Sequence, residues 1–335
     1  MVKKRIVWVD NIKIIAIALV VLGHLIQSFV KSGIVPGGSA IDCFIELIYC
    51  FHVPLFFICS GFLYQQYTKT DTFKAYSKNI LKKFIALGIP YFVFSTITYF
   101  IKVFLEDSVN SQNETSLLGT LFVSPATPYW FLYALFLFFI INPIIKKKSD
   151  AIIRLSVCTV LFIVFNFMSH INTPFLLTMV TYIFHHMIWF VAGMAVSYFD
   201  LTKKFKKYQG VYFIVFLILG IIIYNCTDFF IHFKLLLGVL ACAGIIGFVG
   251  SLCDEKSQGK ISKFLSKYTM PVFLMHTMAA AGIRVILFKL GIDNALIHII
   301  CGGAGTFVLP VIAAMIMEKI KLDILYNPTK YIKIK

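Results

Sequence analysis

Residues 10–24 read DNIKIIAIALVVLGH, an apolar run that opens with one lysine, Lys13, and closes on one histidine, His24. An α-helix turns about 100° and rises about 1.5 Å per residue. Eleven residues therefore return both side chains to one face, roughly 16 Å apart along the axis. The stripe between them passes through Ala16, Ile17 and Val20, and Gly23 beside the histidine leaves room for a second backbone or a ligand. Lipid selects the apolar residues. It does not select the histidine, because a titratable ring deep in such a helix is costly and by default marks function. A histidine is neutral over part of the physiological pH range and can then take a proton from a hydroxyl, the task of a general base. Two blander readings stand beside this one: Lys13 as a lysine snorkelling at a helix end, and His24 as a ring satisfied by an interhelical hydrogen bond.

The rest of the chain repeats the apolar pattern. Of 335 residues, 59% are hydrophobic and 14% charged, with a mean hydropathy of +0.88. A soluble domain of this size needs more polar surface, so the class is an all-α polytopic membrane protein. Blocks long enough to cross about 30 Å of hydrocarbon predict about ten spans. They fall near 12–30, 41–64, 80–104, 129–145, 151–168, 175–199, 211–226, 233–252, 270–289 and 295–317, a single integral-membrane domain over 1–335. The opening Lys3-Lys4-Arg5 and apolar stretch resemble a signal peptide, but Lys13, His24 and the spans that follow make this an uncleaved first helix.

The net charge of +16 does not point to nucleic acid. Its Lys and Arg residues sit in short clusters between apolar blocks, and no nucleic-acid motif accompanies them. Alternate loops carry the clusters: Lys69, Lys74 and Lys78; Lys146 to Lys148; Lys203, Lys204, Lys206 and Lys207; Lys256, Lys260, Lys263 and Lys267; and the tail with Lys319, Lys321, Lys330, Lys333 and Lys335. The intervening loops are poor in them. Loop 105–128 carries Glu106, Asp107 and Glu114 but no Lys or Arg, and loop 169–174 carries no charge. The positive-inside rule then predicts both termini in the cytosol. The longest loops, near 105–128 and 253–269, are too short for a catalytic domain, so any chemistry belongs within or at the edge of the membrane. No repeat relates the two halves, which weighs against a transporter built from inverted repeats.

Other segments carry polar groups into the apolar blocks. FHVPLFFICSGFLY (51–64) places Pro54 where it should kink a span, and Ser60-Gly61 where two backbones can approach closely. PYWFLYALF (128–136) puts Trp130 at the outer end of the fourth span, a position typical of an interfacial tryptophan. MPVFLMH (270–276) buries His276 in the ninth span, and FHH (184–186) buries His185 and His186 in the sixth. Adjacent residues point about 100° apart, so the latter pair cannot both line one wall. A zinc site needs three or four converging ligands, and no acidic or thiolate spacing supplies them. The eight cysteines contain no Cys-x-x-Cys and lie mostly in apolar blocks, as small hydrophobes.

Together these segments resemble the acyltransferase type 3 family, integral-membrane O-acyltransferases of about ten helices. The family's first helix carries a basic residue, ten intervening residues and a histidine, here Lys13 to His24, preceded by Asp10. Arginine is commoner than lysine at the first of these. The family's F-x-x-P-x-F-F-x-x-S-G-F run is matched by Phe51, Pro54, Phe56, Phe57, Ser60, Gly61 and Phe62. YWFLYALF and MPVFLMH resemble its mid-chain tryptophan segment and its late histidine helix. The likeness covers essentially the whole chain and is nearest the small members that O-acetylate sugars; a fused periplasmic hydrolase-like domain is not expected.

The resemblance implies a cytosolic acetyl-CoA or other small acyl-CoA donor and a cell-surface or lipid-linked glycan acceptor, in the inner (plasma) membrane. It implies donor phosphates met by Lys13 with Asp10, Lys82 and Lys83 nearby, and a pantetheine arm reaching toward His24 as base. Ser60-Gly61 would serve the oxyanion, His276 would orient the acceptor or the base, and Trp130 would serve the acceptor. No bound cofactor is expected. Two other classes keep the same polar residues in the membrane: a transporter or flippase for a glycan or small polar solute, and a non-catalytic scaffold of a polysaccharide export complex.

Overall fold

A computed structural model describes residues 5–70, 72–105, 115–168, 175–226, 230–253 and 258–334. Several residues weighed above lie outside these: Lys3, Lys4, Glu106, Asp107, Glu114, segment 169–174, Lys256 and Lys335. The described residues form thirteen α-helices and no strand. In chain order these are α1 (Val7–Lys31), α2 (Ser39–Tyr49), α3 (His52–Tyr67), α4 (Phe73–Lys83), α5 (Ile89–Phe104), α6 (Leu117–Phe122), α7 (Trp130–Ile141), α8 (Lys148–Met168), α9 (Phe175–Tyr198), α10 (Thr202–Cys226), α11 (Phe230–Leu252), α12 (Lys260–Lys289) and α13 (Ala295–Lys319). A π-helical turn, Phe84–Gly88, joins α4 to α5.

Nine helical stretches among the described residues are long and apolar enough to cross a membrane. The expected fourth span is the exception. Over 129–145 only Trp130–Ile141 is helical, 12 residues or about 18 Å. The physical reason is Pro143, which has no N–H to continue the helix and disfavours helical backbone at Asn142. The chain after it is held instead by a side chain. Gln65 on α3 donates to the Ile145 carbonyl at 2.9 Å and accepts from the Ile145 N–H at 2.8 Å.

Pro54 also acts differently from expectation. The second span breaks at Cys50-Phe51, and Pro54 sits in the first turn of α3, where its missing N–H would have had no helical partner. It starts a helix and kinks none. The His52 Nδ1 lies 2.8 Å from the Ile48 carbonyl, which at the break accepts from the Phe51 N–H at 3.1 Å.

Two compact units divide the chain. The first takes Met1–Leu19, Ser39–Thr72 and Ile141–Ser266. Its centre is α3 against α9. A Cβ at Gly61 would run into the Phe190 carbonyl oxygen, and one at Gly193 into that of Ile58, so only glycine permits this approach. The first half of α1 buries Val9, Ile12 and Ala16 completely, and Trp8 meets Phe62 edge-on at 4.8 Å.

The second unit takes Val20–Gly38, Phe73–Ile140 and Lys267–Lys335. Here α7 is tied to α5 and α12 through one phenol. The Tyr129 hydroxyl donates to the Leu274 carbonyl at 2.8 Å and accepts from Thr98 at 2.8 Å. Phe131 packs edge-on against Phe273 at 5.6 Å. Beyond α13 the chain folds back on itself. Asp323 accepts from Lys330 at 2.7 Å and from the Tyr331 hydroxyl. Burial alone would raise that carboxyl, but the two donors outweigh it and hold it below the usual carboxylate range. In both units, outward faces carry exposed Ile, Val, Leu and Phe, such as Ile153, Val160, Ile286 and Ile316, the surface a bilayer covers.

Candidate active site

The first half of α1, in the first unit, holds Asp10 and Lys13. Asp10 lies in the first turn, where a carboxylate suits the positive end of the helix dipole. It accepts from the Arg5 guanidinium, which also reaches Ser266 Oγ at 2.5 Å. Asp10 thus positions a second cation, Arg5, that the motif reading did not single out. Lys13, one turn further on, is half-buried and has no carboxylate partner among the described residues. Lys82 and Lys83 close α4 in the other unit. Lys82 is exposed, while the Lys83 ammonium sits 4.1 Å from the centroid of the Phe139 ring.

Ser60 and Gly61 both lie inside α3. Their N–H groups therefore belong to the helix ladder. An oxyanion contact from this segment can come only from the Ser60 hydroxyl, and Gly61 is committed to packing against α9.

The second half of α1, in the second unit, holds His24. It is half-buried, next to the buried Gly23. Its ring faces that of His276 on α12, with centroids 5.4 Å apart and planes tilted by 34°. The sequence separates these two histidines by 252 positions, and the fold brings them into contact. His276 is 1% exposed. Its Nδ1 lies 2.8 Å from the Phe273 carbonyl and 3.1 Å from that of Val272. Carbonyl oxygens only accept, so Nδ1 carries the proton and Nε2 carries the lone pair. That Nε2 is buried and has no hydrogen-bond partner among the described residues.

One turn beyond His24, Ser28 accepts from Arg284 of α12 at 2.6 Å. Arg284 is a guanidinium buried inside an apolar helix, and sequence reading passed over it. The signal was available: it is the only charged residue between Lys267 and Lys289, as anomalous there as His24 is in α1. Trp130 opens α7, half-buried, between the two residues, Tyr129 and Phe131, that fix this helix against α12 at 273–274.

His185 and His186 are engaged elsewhere. In the first unit, His185 stacks on Phe162 at 4.1 Å, and His186 Nδ1 lies 2.9 Å from the Tyr182 carbonyl. Among the described residues no three His, Cys, Asp or Glu side chains converge as metal ligands.

The model of an acyltransferase domain matches residues 6–315, from α1 through most of α13. The chain belongs to that acyltransferase type 3 family, and its described residues include nine helical stretches long and apolar enough to cross a membrane. Nodulation protein NolL of Mesorhizobium japonicum (strain LMG 29417 / CECT 9101 / MAFF 303099) is 29% identical over 133 residues, 39% of this chain. The match spans 34% of the length of NolL. No solved structure matches the chain.

Proposed function

We propose that this protein moves an acetyl or similarly small acyl group from cytosolic acyl-CoA to a hydroxyl of a cell-surface or lipid-linked glycan, in the inner (plasma) membrane, with His24 as general base. The observation that carries the proposal is a half-buried histidine deep in α1, facing a second buried histidine, in a chain of the acyltransferase family. Lys13, with Arg5 held by Asp10, would meet the donor's phosphates. Charge-assisted contacts of this kind are the strong ones. The pantetheine arm would lie along α1, whose roughly 16 Å from Lys13 to His24 suits an extended chain.

The chemistry follows in balanced steps. One His24 nitrogen takes the hydroxyl proton as the acceptor oxygen bonds to the thioester carbon. The tetrahedral oxyanion is stabilised by hydrogen-bond donors aimed at it. It collapses with cleavage of the carbon–sulfur bond, and the departing thiolate receives the proton from His24. Trp130 flanks the acceptor side, and His276 lies against the base.

The test is transfer of labelled acetyl from acetyl-CoA to glycan in membranes carrying the wild type or His24→Gln. Glutamine keeps hydrogen bonding but is no base at neutral pH. The expected loss is about 10²–10⁴-fold in rate, the usual contribution of a general base, with expression and acetyl-CoA binding retained. Near-normal turnover in the Gln variant would remove the base assignment.

A further inference from the structure

His276 is buried, its tautomer is fixed by its own helix, and its one open nitrogen is an acceptor beside His24. We infer that His276 positions the base: its Nε2 accepts a ring N–H of His24 and so fixes which His24 nitrogen faces the substrate hydroxyl. This rests on the reading of His24 as base.

Several observations converge. A buried lone pair without a donor is rare, since it has lost its water partners and gained none, so such groups tend to have a use. The Nδ1 proton is committed to the Phe273 and Val272 carbonyls, which leaves Nε2 on the far side of the ring from the α12 backbone. Imidazoles with centroids 5.4 Å apart bring facing nitrogens to about 3 Å, hydrogen-bond length, after a modest ring rotation. Catalytic hydrogen bonds are commonly long before substrate binds and tighten afterwards. The backbone holding His276 is itself braced. Leu274, two residues away, accepts from Tyr129, and Phe273 packs on Phe131. Arg284 and Ser28 close the same pair of helices, one turn beyond His24 on α1 and about two turns beyond His276 on α12.

The consequence is mechanistic. A free imidazole divides between two tautomers, and only one leaves the lone pair toward the acceptor hydroxyl. A fixed acceptor on one side selects that tautomer, the role of the third group behind a nucleophile and its base. Once His24 has taken the hydroxyl proton, the same Nε2 accepts from the imidazolium. The proton taken from the hydroxyl stays on His24 and goes to the departing thiolate, so His276 changes no bond and is a positioning residue.

Two polar substitutions separate the acceptor from the rest of the ring. His276→Asn keeps a donor for the Phe273 carbonyl but puts nothing at the Nε2 position. His276→Gln puts an amide oxygen close to that position. The readouts are kcat, KM for acetyl-CoA and for the glycan, and the thermal unfolding midpoint in detergent. The expected result is kcat down about 10–10²-fold in the Asn variant, the scale of losing precise placement, with both KM values and the midpoint unchanged. The Gln variant should recover at least tenfold of that loss. Normal kcat in His276→Asn would overturn the inference and leave the base reading standing. Equal impairment of both variants would also overturn it, since the ring and not its acceptor would then matter. So would a rise in glycan KM at constant kcat, which would make His276 an acceptor-binding group. Turnover by His24→Gln is measured alongside: full activity there sinks the base reading and this inference with it.

Discussion

At the scale of single residues, the sequence marks its chemistry by placing polar groups where lipid disfavours them. Lys13, His24, His276 and Arg284 all stand out on that ground. The structure then gives them different surroundings. Lys13 has no carboxylate among the described residues to neutralise it, whereas Asp10 is taken by Arg5. A cation left without a protein counter-charge suits a phosphate. Lys13→Ala should therefore weaken acetyl-CoA binding about 10–10²-fold, the worth of one charge-assisted hydrogen bond, while Lys13→Arg stays within a few-fold of wild type. Titration calorimetry on protein in detergent measures both. Equal loss in the two variants would assign Lys13 to packing.

At the scale of elements, small residues decide how close helices come. Gly61 and Gly193 let α3 and α9 approach to backbone contact. Helices in lipid associate by such packing and by hydrogen bonds, without a hydrophobic drive between them. Gly61→Ala would push a methyl into the Phe190 carbonyl. It should destabilise the protein by about 1–3 kcal/mol or more, the cost of overpacking. Gly210→Ala on α10 is the control, since nothing lies within 4 Å of the added Cβ; there, better helix propensity makes the change neutral or slightly stabilising. Thermal unfolding midpoints in detergent should fall for the first and hold or rise for the second. The sequence reading of Gly61 as a place of close backbone approach agrees with this packing. Its reading of Pro54 as a mid-span kink did not survive, because a proline's effect depends on where a helix begins, and the break at Cys50-Phe51 carries no strong local signal.

At the scale of the whole molecule, the apolar blocks account for the helices, and the basic loops carry the orientation. The expected topology puts loop 105–128 outside and 253–269 in the cytosol. Single cysteines introduced by Asn110→Cys and Ser257→Cys, read against wild-type labelling, test it in intact cells. A membrane-impermeant maleimide should label the first and miss the second. The reverse pattern would move the acyl-CoA side of the membrane, and with it the role proposed for Lys13.

The sequence by itself determined the class, the apolar segments and the first-helix pair of Lys13 and His24. These depend on local composition and on the 3.6-residue period, both readable along one chain. The tertiary structure decided that His24 meets His276, that Arg284 meets Ser28, and that the fourth apolar block stops short at Ile141. Contacts between positions some 250 residues apart depend on how helices are arranged around one another. Helical periodicity gives each helix its face but does not say which other helix that face will meet.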